Sequence, residues 1–222
     1  MPFAAPDAAA DELRRVVKKY NFCGALVAGQ FNGRFYNEAE FFPIFKAAAE
    51  LDVPIYFHPA IVRQEIQSYY YLSDAYSQTV GAVLGSYGLG WHFDVGVHVL
   101  RMILSGILDK LPTLKIISGH WGETIPAFLD RLDQALPKKV TGLKKIVSDY
   151  YRESVYLTPS GILSENQLEY LVKVMGADHI IYALDYPYTK PEKPFEFLAE
   201  SNLTAEQKEM IAHGNAEKIL HL

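Results

Sequence analysis

The sequence predicts an α/β protein built on a parallel β-sheet, and two observations lead to this class. Short apolar runs of strand length alternate with longer segments of helical periodicity. Leu114, Ile116 and Ile117 form a short apolar run between Pro112 and Gly119, which is typical of a strand buried on both faces. The alternation implies right-handed crossovers. Since no linker or charge block divides the chain, we expect residues 1–222 to form a single domain.

The first elements are a helix, a strand and a second helix. Asp7 is predicted to cap a surface helix that continues to about Tyr20. The run Gly24–Gly29 is the first strand candidate, and a helix is predicted from about Phe42 to Leu51. The second strand covers residues 55–57 and ends at His58-Pro59.

The segment between the second and third strands has two predicted parts. Residues 60–89 include a tyrosine-rich stretch that either forms a lid or pocket wall or is a partly helical packing insertion. The strongly apolar segment Trp91–Leu111 predicts a largely buried helix, on which His92 and His98 are interpreted as hydrogen-bonded core residues.

The remaining elements complete the alternation. The strand Leu114–Ile117 leads to His120, Gly122 allows a turn, and Glu123 and Thr124 are expected to open the next helix. The later elements are predicted as a fourth strand at 155–157, a helix at 165–175, a fifth strand at 180–184, and two closing helices at about 195–200 and 204–220. Five strand–helix units fit either an open doubly wound sheet or the latter part of a closed barrel.

Composition excludes several classes of function. The net charge is −5 and the isoelectric point is about 5.8, so no electrostatic footprint for nucleic acid is present. The start of the chain lacks the features of a signal peptide, and no apolar run is long enough to cross a membrane. Because the single cysteine, Cys23, cannot form an internal disulfide, we expect a cytoplasmic protein.

Three strands end on side chains that can bind a metal ion or move a proton: His58, His120 and Asp185. Adjacent parallel strands would bring these groups to one rim, where two imidazoles and a carboxylate suit a divalent transition metal together with a proton-transfer group. Glu123 either holds an imidazole in one tautomer or is a first-turn helix carboxylate. Arg131 can bind a carboxylate or pair with a nearby aspartate.

Several motifs in order resemble one known family. They are HPA at His58, SGHWGETIPAFLDRLD from Ser118, TPSG from Thr158 and ALDYPY from Ala183. The chain resembles the amidohydrolase-superfamily decarboxylases of the aminocarboxymuconate-semialdehyde decarboxylase type, especially the γ-resorcylate and 2,3-dihydroxybenzoate decarboxylase branch. The resemblance covers nearly the whole chain and implies an incomplete (β/α)8 TIM barrel that contains about strands 4 to 8.

The resemblance also implies site residues. His58 and Asp185 would bind Zn²⁺ or Mn²⁺, Asp185 would move the proton, and His120, steadied by Glu123, would contact a small aromatic carboxylic acid. Arg131 matches an arginine that reaches a neighbouring subunit's site, which implies a homo-oligomer. The implied reaction is non-oxidative decarboxylation of a hydroxybenzoate.

One departure from the family pattern concerns its first strand. The family takes further metal ligands from that strand, and the first three strand–helix units have no counterpart in this sequence. We therefore expect a truncated copy that is inactive alone or needs a partner. The alternatives are a metal-dependent hydrolase of the same superfamily and a non-catalytic remnant.

Overall fold

A four-stranded parallel sheet forms the centre of the computed structural model, which describes residues 1–222. The strands lie in sequence order and are β1 (Ala25–Ala28), β2 (Ile55–His58), β3 (Ile116–Ser118) and β4 (Val155–Leu157). Ala25 lies opposite Ile55, which lies opposite Ile116. The predicted α/β class with a parallel sheet is confirmed, and the carboxyl ends of all the strands meet at one rim.

Helices make up most of the connections. Their bounds are Pro6–Tyr20, Phe42–Leu51, Gln64–Ile66, Gln78–Leu84, Gly90–Leu104, Ile107–Lys110, Leu129–Ala135, Lys138–Thr141, Val147–Ser154, Glu165–Met175, Glu196–Ala199, Ala205–Glu209 and Asn215–Leu220. A π-helical turn, Met210–Gly214, joins the last two, so the predicted closing helix at 204–220 is nearly continuous. None of the helices has both the length and the apolar character that a bilayer span requires.

Three predicted elements are wrong in detail. Only Ile180 of the fifth strand pairs with the sheet, in a single bridge to Leu157. From Tyr182 onward the backbone leaves the ladder, because the Tyr182 N–H donates to the carbonyl of Ile211 instead of to a strand of the sheet. Asp7 lies inside the first turn of a helix that begins at Pro6, rather than at its cap. The predicted helix over 91–111 is divided at Gly106, where the chain turns into a second short helix.

The tyrosine-rich segment is partly helical, and its aromatic side chains face outward. Tyr69 and Tyr70 are 82% and 68% exposed. Tyr70 also lines a cleft of about 480 Å³, together with Tyr71 and Phe93. The segment therefore combines the two predicted roles, since it is a partly helical insertion that also forms a pocket wall.

The two faces of the sheet have different environments. On the helix-covered face Val27 of β1 and Phe57 of β2 are almost fully buried. On the opposite face Leu26 is 55% exposed, and Tyr56 and His58 are only partly buried. Ile117, Ile181 and Ile219 form a small separate core that covers part of this second face. The second face is therefore partly open to water around β1 and β2, and we call it the open face.

His98 is a hydrogen-bonded core histidine, as predicted. It is 2% exposed, stacks on Tyr36, and its Nε2 accepts a hydrogen bond from the Tyr36 N–H at 2.9 Å. Burial, with a smaller contribution from the charge of Arg101, lowers the pKa of His98 from 6.5 to about 3. The imidazole therefore stays neutral in the folded protein.

The lowered pKa of His98 predicts that the folded protein loses stability in acid. Below pH 6.5 the unfolded chain binds a proton at His98 that the folded protein rejects until about pH 3, so stability is lost as the pH falls through this window. At pH 5 the loss amounts to about 2 kcal/mol. We expect urea unfolding at pH 7.5 and pH 5 to show this difference in the wild type, and His98→Gln, which keeps an acceptor for Tyr36, to lack it. Equal losses in both proteins would contradict the prediction.

Candidate active site

The segment that follows β3 has an unusual backbone. His120, Trp121, Gly122, Glu123 and Thr124 all have φ between 43° and 78°. Glu123 and Thr124 therefore do not open a helix, contrary to the prediction from the sequence. Instead, a 3-10 turn follows at Ile125–Phe128, with Pro126 at its start. We call residues 120–124 the left-handed turn.

Contacts from the segments before and after β4 hold the left-handed turn in place. The Trp121 N–H donates to the carbonyl of Thr158 at 2.8 Å, and the indole Nε1–H donates to the carbonyl of Ile162 at 2.6 Å. The Tyr151 hydroxyl donates to the carbonyl of Gly122 at 3.1 Å. With both its backbone and its indole bonded in this way, the turn fixes the positions of His120 and Glu123.

Glu123 lies at the centre of a buried polar cluster. Its side chain is fully buried, and each of its two carboxylate oxygens contacts a different imidazole. His120 Nδ1 lies 2.7 Å from Oε1, and His92 Nδ1 lies 2.5 Å from Oε2. The sequence had suggested either a partner of an imidazole or a first-turn carboxylate, and the geometry is that of the partner.

His58, the last residue of β2, has a fixed ring orientation. Its Nδ1 lies 2.7 Å from the carbonyl oxygen of Pro59. Since a carbonyl only accepts, Nδ1 carries a proton, and in the neutral ring Nε2 keeps a free lone pair. A metal-binding histidine typically has this arrangement, with one ring nitrogen donating to a carbonyl and the other free for the metal. The chemistry of His58 therefore fits a divalent metal ion.

Asp185 lies beyond the sheet on a tight turn. Its φ is 58°, and its carbonyl accepts hydrogen bonds from the N–H groups of Tyr188 and Thr189 at 2.9 and 3.1 Å. The residue is only partly buried. The Gly161 N–H, just beyond β4, donates to the carbonyl of Ala183 at 3.4 Å, so the segment that leads to Asp185 passes the end of β4.

The Tyr56 side chain connects β2 with the segment that follows β4. Its hydroxyl lies 3.1 Å from Ser160 Oγ, and Thr158 Oγ1 lies 2.6 Å from the same serine. Burial raises the pKa of Tyr56, hydrogen bonds with the hydroxyls of Ser160 and, at 3.4 Å, Thr158 oppose the rise, and the nearby carboxylates of Glu123 and Asp185 add to it. Both carboxylates therefore lie within electrostatic reach of one phenol.

Arg131 is exposed on the helix Leu129–Ala135 and does not contact the residues above. The nearby Asp133 accepts a hydrogen bond from the Ser148 N–H instead of pairing with it. A local ion pair is therefore not the role of this arginine within the chain.

His92 is the site residue that the sequence did not predict. It was interpreted as a core histidine because it precedes an apolar helical segment, but it lies against Glu123, 31 positions along the chain. Its position at the start of the helix Gly90–Leu104 was the available signal, since a polar residue there can point out of the helix end. A cavity of about 250 Å³, lined also by Trp121 and Tyr170, lies beside His92 and His120.

Comparison with known proteins assigns the chain to a family. All 222 residues match the family described as Amidohydrolase. The decarboxylase orsB of Emericella nidulans is 36% identical over 99% of this chain and 68% of its own length. The chain belongs to the amidohydrolase family, and the predicted membership is confirmed.

Two solved structures extend this similarity to the fold. A Staphylococcus aureus protein named as an amidohydrolase matches with a TM-score of 0.96 and 44% identity, over 100% of this chain and 72% of that protein. A dihydroxybenzoic acid decarboxylase of Polaromonas sp., solved with bound manganese and the inhibitor 2-nitroresorcinol, matches with a TM-score of 0.87 and 31% identity, over 100% of this chain and 68% of that protein. The whole chain thus has the same fold as the matching part of these two proteins, and it spans about two thirds of their length.

Proposed function

We propose that the protein is a metal-dependent carboxy-lyase that removes CO2 from a hydroxybenzoate with a hydroxyl group beside the carboxylate. The observation that supports the proposal is that three polar groups end or follow strands and strand-like segments of the sheet. These groups are His58 with a free Nε2, the bonded pair His120–Glu123, and Asp185. The decarboxylases among the relatives support the choice of reaction.

His58 and Asp185 are the proposed metal ligands. An imidazole nitrogen and a carboxylate oxygen suit Mn²⁺ or Zn²⁺, and we favour Mn²⁺ because the Polaromonas decarboxylase was solved with manganese. When bound, the ion supplies positive charge that holds the carboxylate and the adjacent phenolic oxygen of the substrate. Two protein ligands are one fewer than a catalytic zinc site usually has.

The side chains of this chain supply the proton chemistry. With Nδ1 of His120 bonded to Glu123, its Nε2 is free to bind an oxygen of the substrate. Asp185, with a proton on the carboxyl oxygen that does not face the ion, would give that proton to the ring carbon that carries the carboxylate. The bond to the carboxylate carbon then breaks, its electron pair returns to the ring, CO2 leaves, and Asp185 takes a new proton from water.

We propose that the protein acts as a homo-oligomer in the cytoplasm. Arg131 is exposed and unpaired with its neighbouring aspartates, so its planar guanidinium is available to a carboxylate in an adjacent subunit. The lone cysteine, Cys23, suits a reducing compartment.

The test is to load the purified protein with Mn²⁺ and to follow CO2 release from 2,6- and 2,3-dihydroxybenzoate, with benzoate as the control that lacks the neighbouring hydroxyl. We expect CO2 from at least one dihydroxybenzoate and none from benzoate, and release by these 222 residues alone would overturn the expectation from the sequence that they are inactive without a partner. Hydrolysis of a lactone without any CO2 release would instead indicate a hydrolase of the same family.

Metal binding gives a second prediction for the same site. We expect His58→Ala to weaken Mn²⁺ binding by at least about 10-fold, because it removes one of two protein ligands. Titration followed by electron paramagnetic resonance measures this directly and does not depend on turnover. His213→Ala is the control, since His213 is an exposed histidine that contacts only Glu209 and Glu217. Equal weakening in both variants would contradict the assignment.

A further inference from the structure

We propose that His92 is a positioning residue, which holds the Glu123 carboxylate and thereby fixes the orientation and tautomer of His120. The inference rests on the proposed function only in giving His120 a substrate to contact. Two hydrogen bonds, one between His92 and Glu123 and one between Glu123 and His120, link the three side chains.

The environment of Glu123 requires protein partners for both of its carboxylate oxygens. Its side chain has no exposed surface, so water cannot satisfy the second carboxylate oxygen. A buried carboxylate with one unmet oxygen is unfavourable and would turn towards any other donor. Because His92 occupies Oε2, the carboxylate keeps Oε1 directed at His120, and the two rings lie 4.7 Å apart in an edge-on arrangement.

The helix that carries His92 approaches the left-handed turn closely. Gly96 lies one turn after His92 on the helix Gly90–Leu104, and a Cβ atom there would stand 2.6 Å from the backbone oxygen of Glu123. Only a glycine allows this approach. The helix therefore rests on the left-handed turn itself, and this contact sets the distance between His92 and the Glu123 carboxylate.

The hydrogen bonds of the cluster fix which ring nitrogens of His92 and His120 carry protons. Both Nδ1 atoms must carry hydrogen to donate to a carboxylate, which only accepts. The opposite nitrogen of His92 has a partner in either charge state, since Nε2 can accept from the Trp91 indole at 3.2 Å or donate to the Tyr87 carbonyl at 3.1 Å. Burial lowers the pKa of His92, but the hydrogen bond to Glu123, the charge of Glu123 and the contact with the Tyr87 carbonyl together outweigh burial and leave the pKa raised.

A shared metal ion does not explain the cluster as well. One ligand atom from each of the three residues lies within 4.8 Å of the others, which is close enough for an ion. However, two atoms bound tetrahedrally to one zinc ion lie roughly 3.3 Å apart. The contacts of 2.5 and 2.7 Å are shorter and match charge-assisted hydrogen bonds.

The experiment compares the Mn²⁺-loaded wild type with His92→Leu, which removes the donor, and His92→Asn, whose amide nitrogen can replace Nδ1. For His92→Leu we expect kcat to fall by about 10- to 100-fold with little change in KM, and His92→Asn to recover most of the loss. A kcat within twofold of wild type in His92→Leu would overturn the proposal, as would an Asn variant no better than the Leu variant.

A readout without turnover separates this inference from the proposed function. In the ¹⁵N-histidine-labelled protein without metal we expect two downfield Nδ1–H proton signals, from His92 and His120, and a displaced His120 signal in His92→Leu. The wild-type signals need no variant, so the test survives if His92→Leu does not fold. Absence of both signals would overturn the inference, whereas both signals in a protein that releases no CO2 would overturn only the proposed function.

Discussion

Replacing Asp185 with asparagine is expected to lower the rate of CO2 release by about 1,000-fold, because general acid catalysis typically contributes 10²- to 10⁴-fold. Asparagine has nearly the same shape as aspartate, but it has no acidic proton to give to the ring carbon. The neutral amide is also a weaker ligand for a divalent ion than a carboxylate. The measurement is the rate of CO2 release at saturating Mn²⁺, together with the affinity for Mn²⁺.

A matched control separates the role of Asp185 from a general loss of negative charge. Glu192 is an exposed carboxylate seven positions further along the same segment. We expect Glu192→Gln to keep both the rate and the metal affinity of wild type. If Asp185→Asn retained more than a tenth of the wild-type rate, Asp185 would not be the proton donor.

Substitution of Gly122 by alanine should have the largest effect on folding among the residues of the site. Gly122 has φ of 78°, and an added Cβ would lie 2.7 Å from the Tyr151 hydroxyl and 2.9 Å from Leu157 Cδ2. A left-handed backbone costs alanine about 1–2 kcal/mol, and forcing a methyl group into a packed core costs about 1–3 kcal/mol. We therefore expect the free energy of unfolding to fall by about 2–5 kcal/mol.

Gly142→Ala is the control for the cost of a left-handed backbone conformation without a steric clash. Gly142 has φ of 71°, but an added Cβ would have no neighbour within 4 Å. We expect it to cost only about 1–2 kcal/mol in chemical denaturation. Equal losses in the two variants would mean that the contact with Tyr151 adds nothing. A folded Gly122→Ala should also disturb the bond between His120 and Glu123, because both residues lie on the left-handed turn.

The sheet was predictable because its strands are apolar runs with clear ends. The runs at 55–57 and 155–157 are flanked by residues that end or turn a strand, and both form strands. The run at 180–184 is equally apolar, but the hydrogen bond from Tyr182 to Ile211 takes its backbone out of the ladder. Such competition between partners far apart in the chain cannot be read from a local pattern.

The site was only partly predictable, for a related reason. His58, His120 and Asp185 follow strand candidates, so their common rim could be inferred from the chain order. The left-handed turn could not be inferred from the sequence, because only Gly122 among its residues favours a positive φ. The role of His92 was also hidden, since it depends on the close contact between Gly96 and Glu123.

Water has access to the part of the open face where Leu26, Tyr56 and His58 lie, and this access controls how strongly charges act there. Two unit charges 4 Å apart attract each other by about 1 kcal/mol in bulk water but by about 4 kcal/mol at an effective dielectric constant of 20. A layer of protein over Leu26 would remove apolar surface from water and lower the local dielectric constant around His58. The strength of every ionic contact made by this histidine therefore depends on what covers the sheet as much as on the ligands themselves.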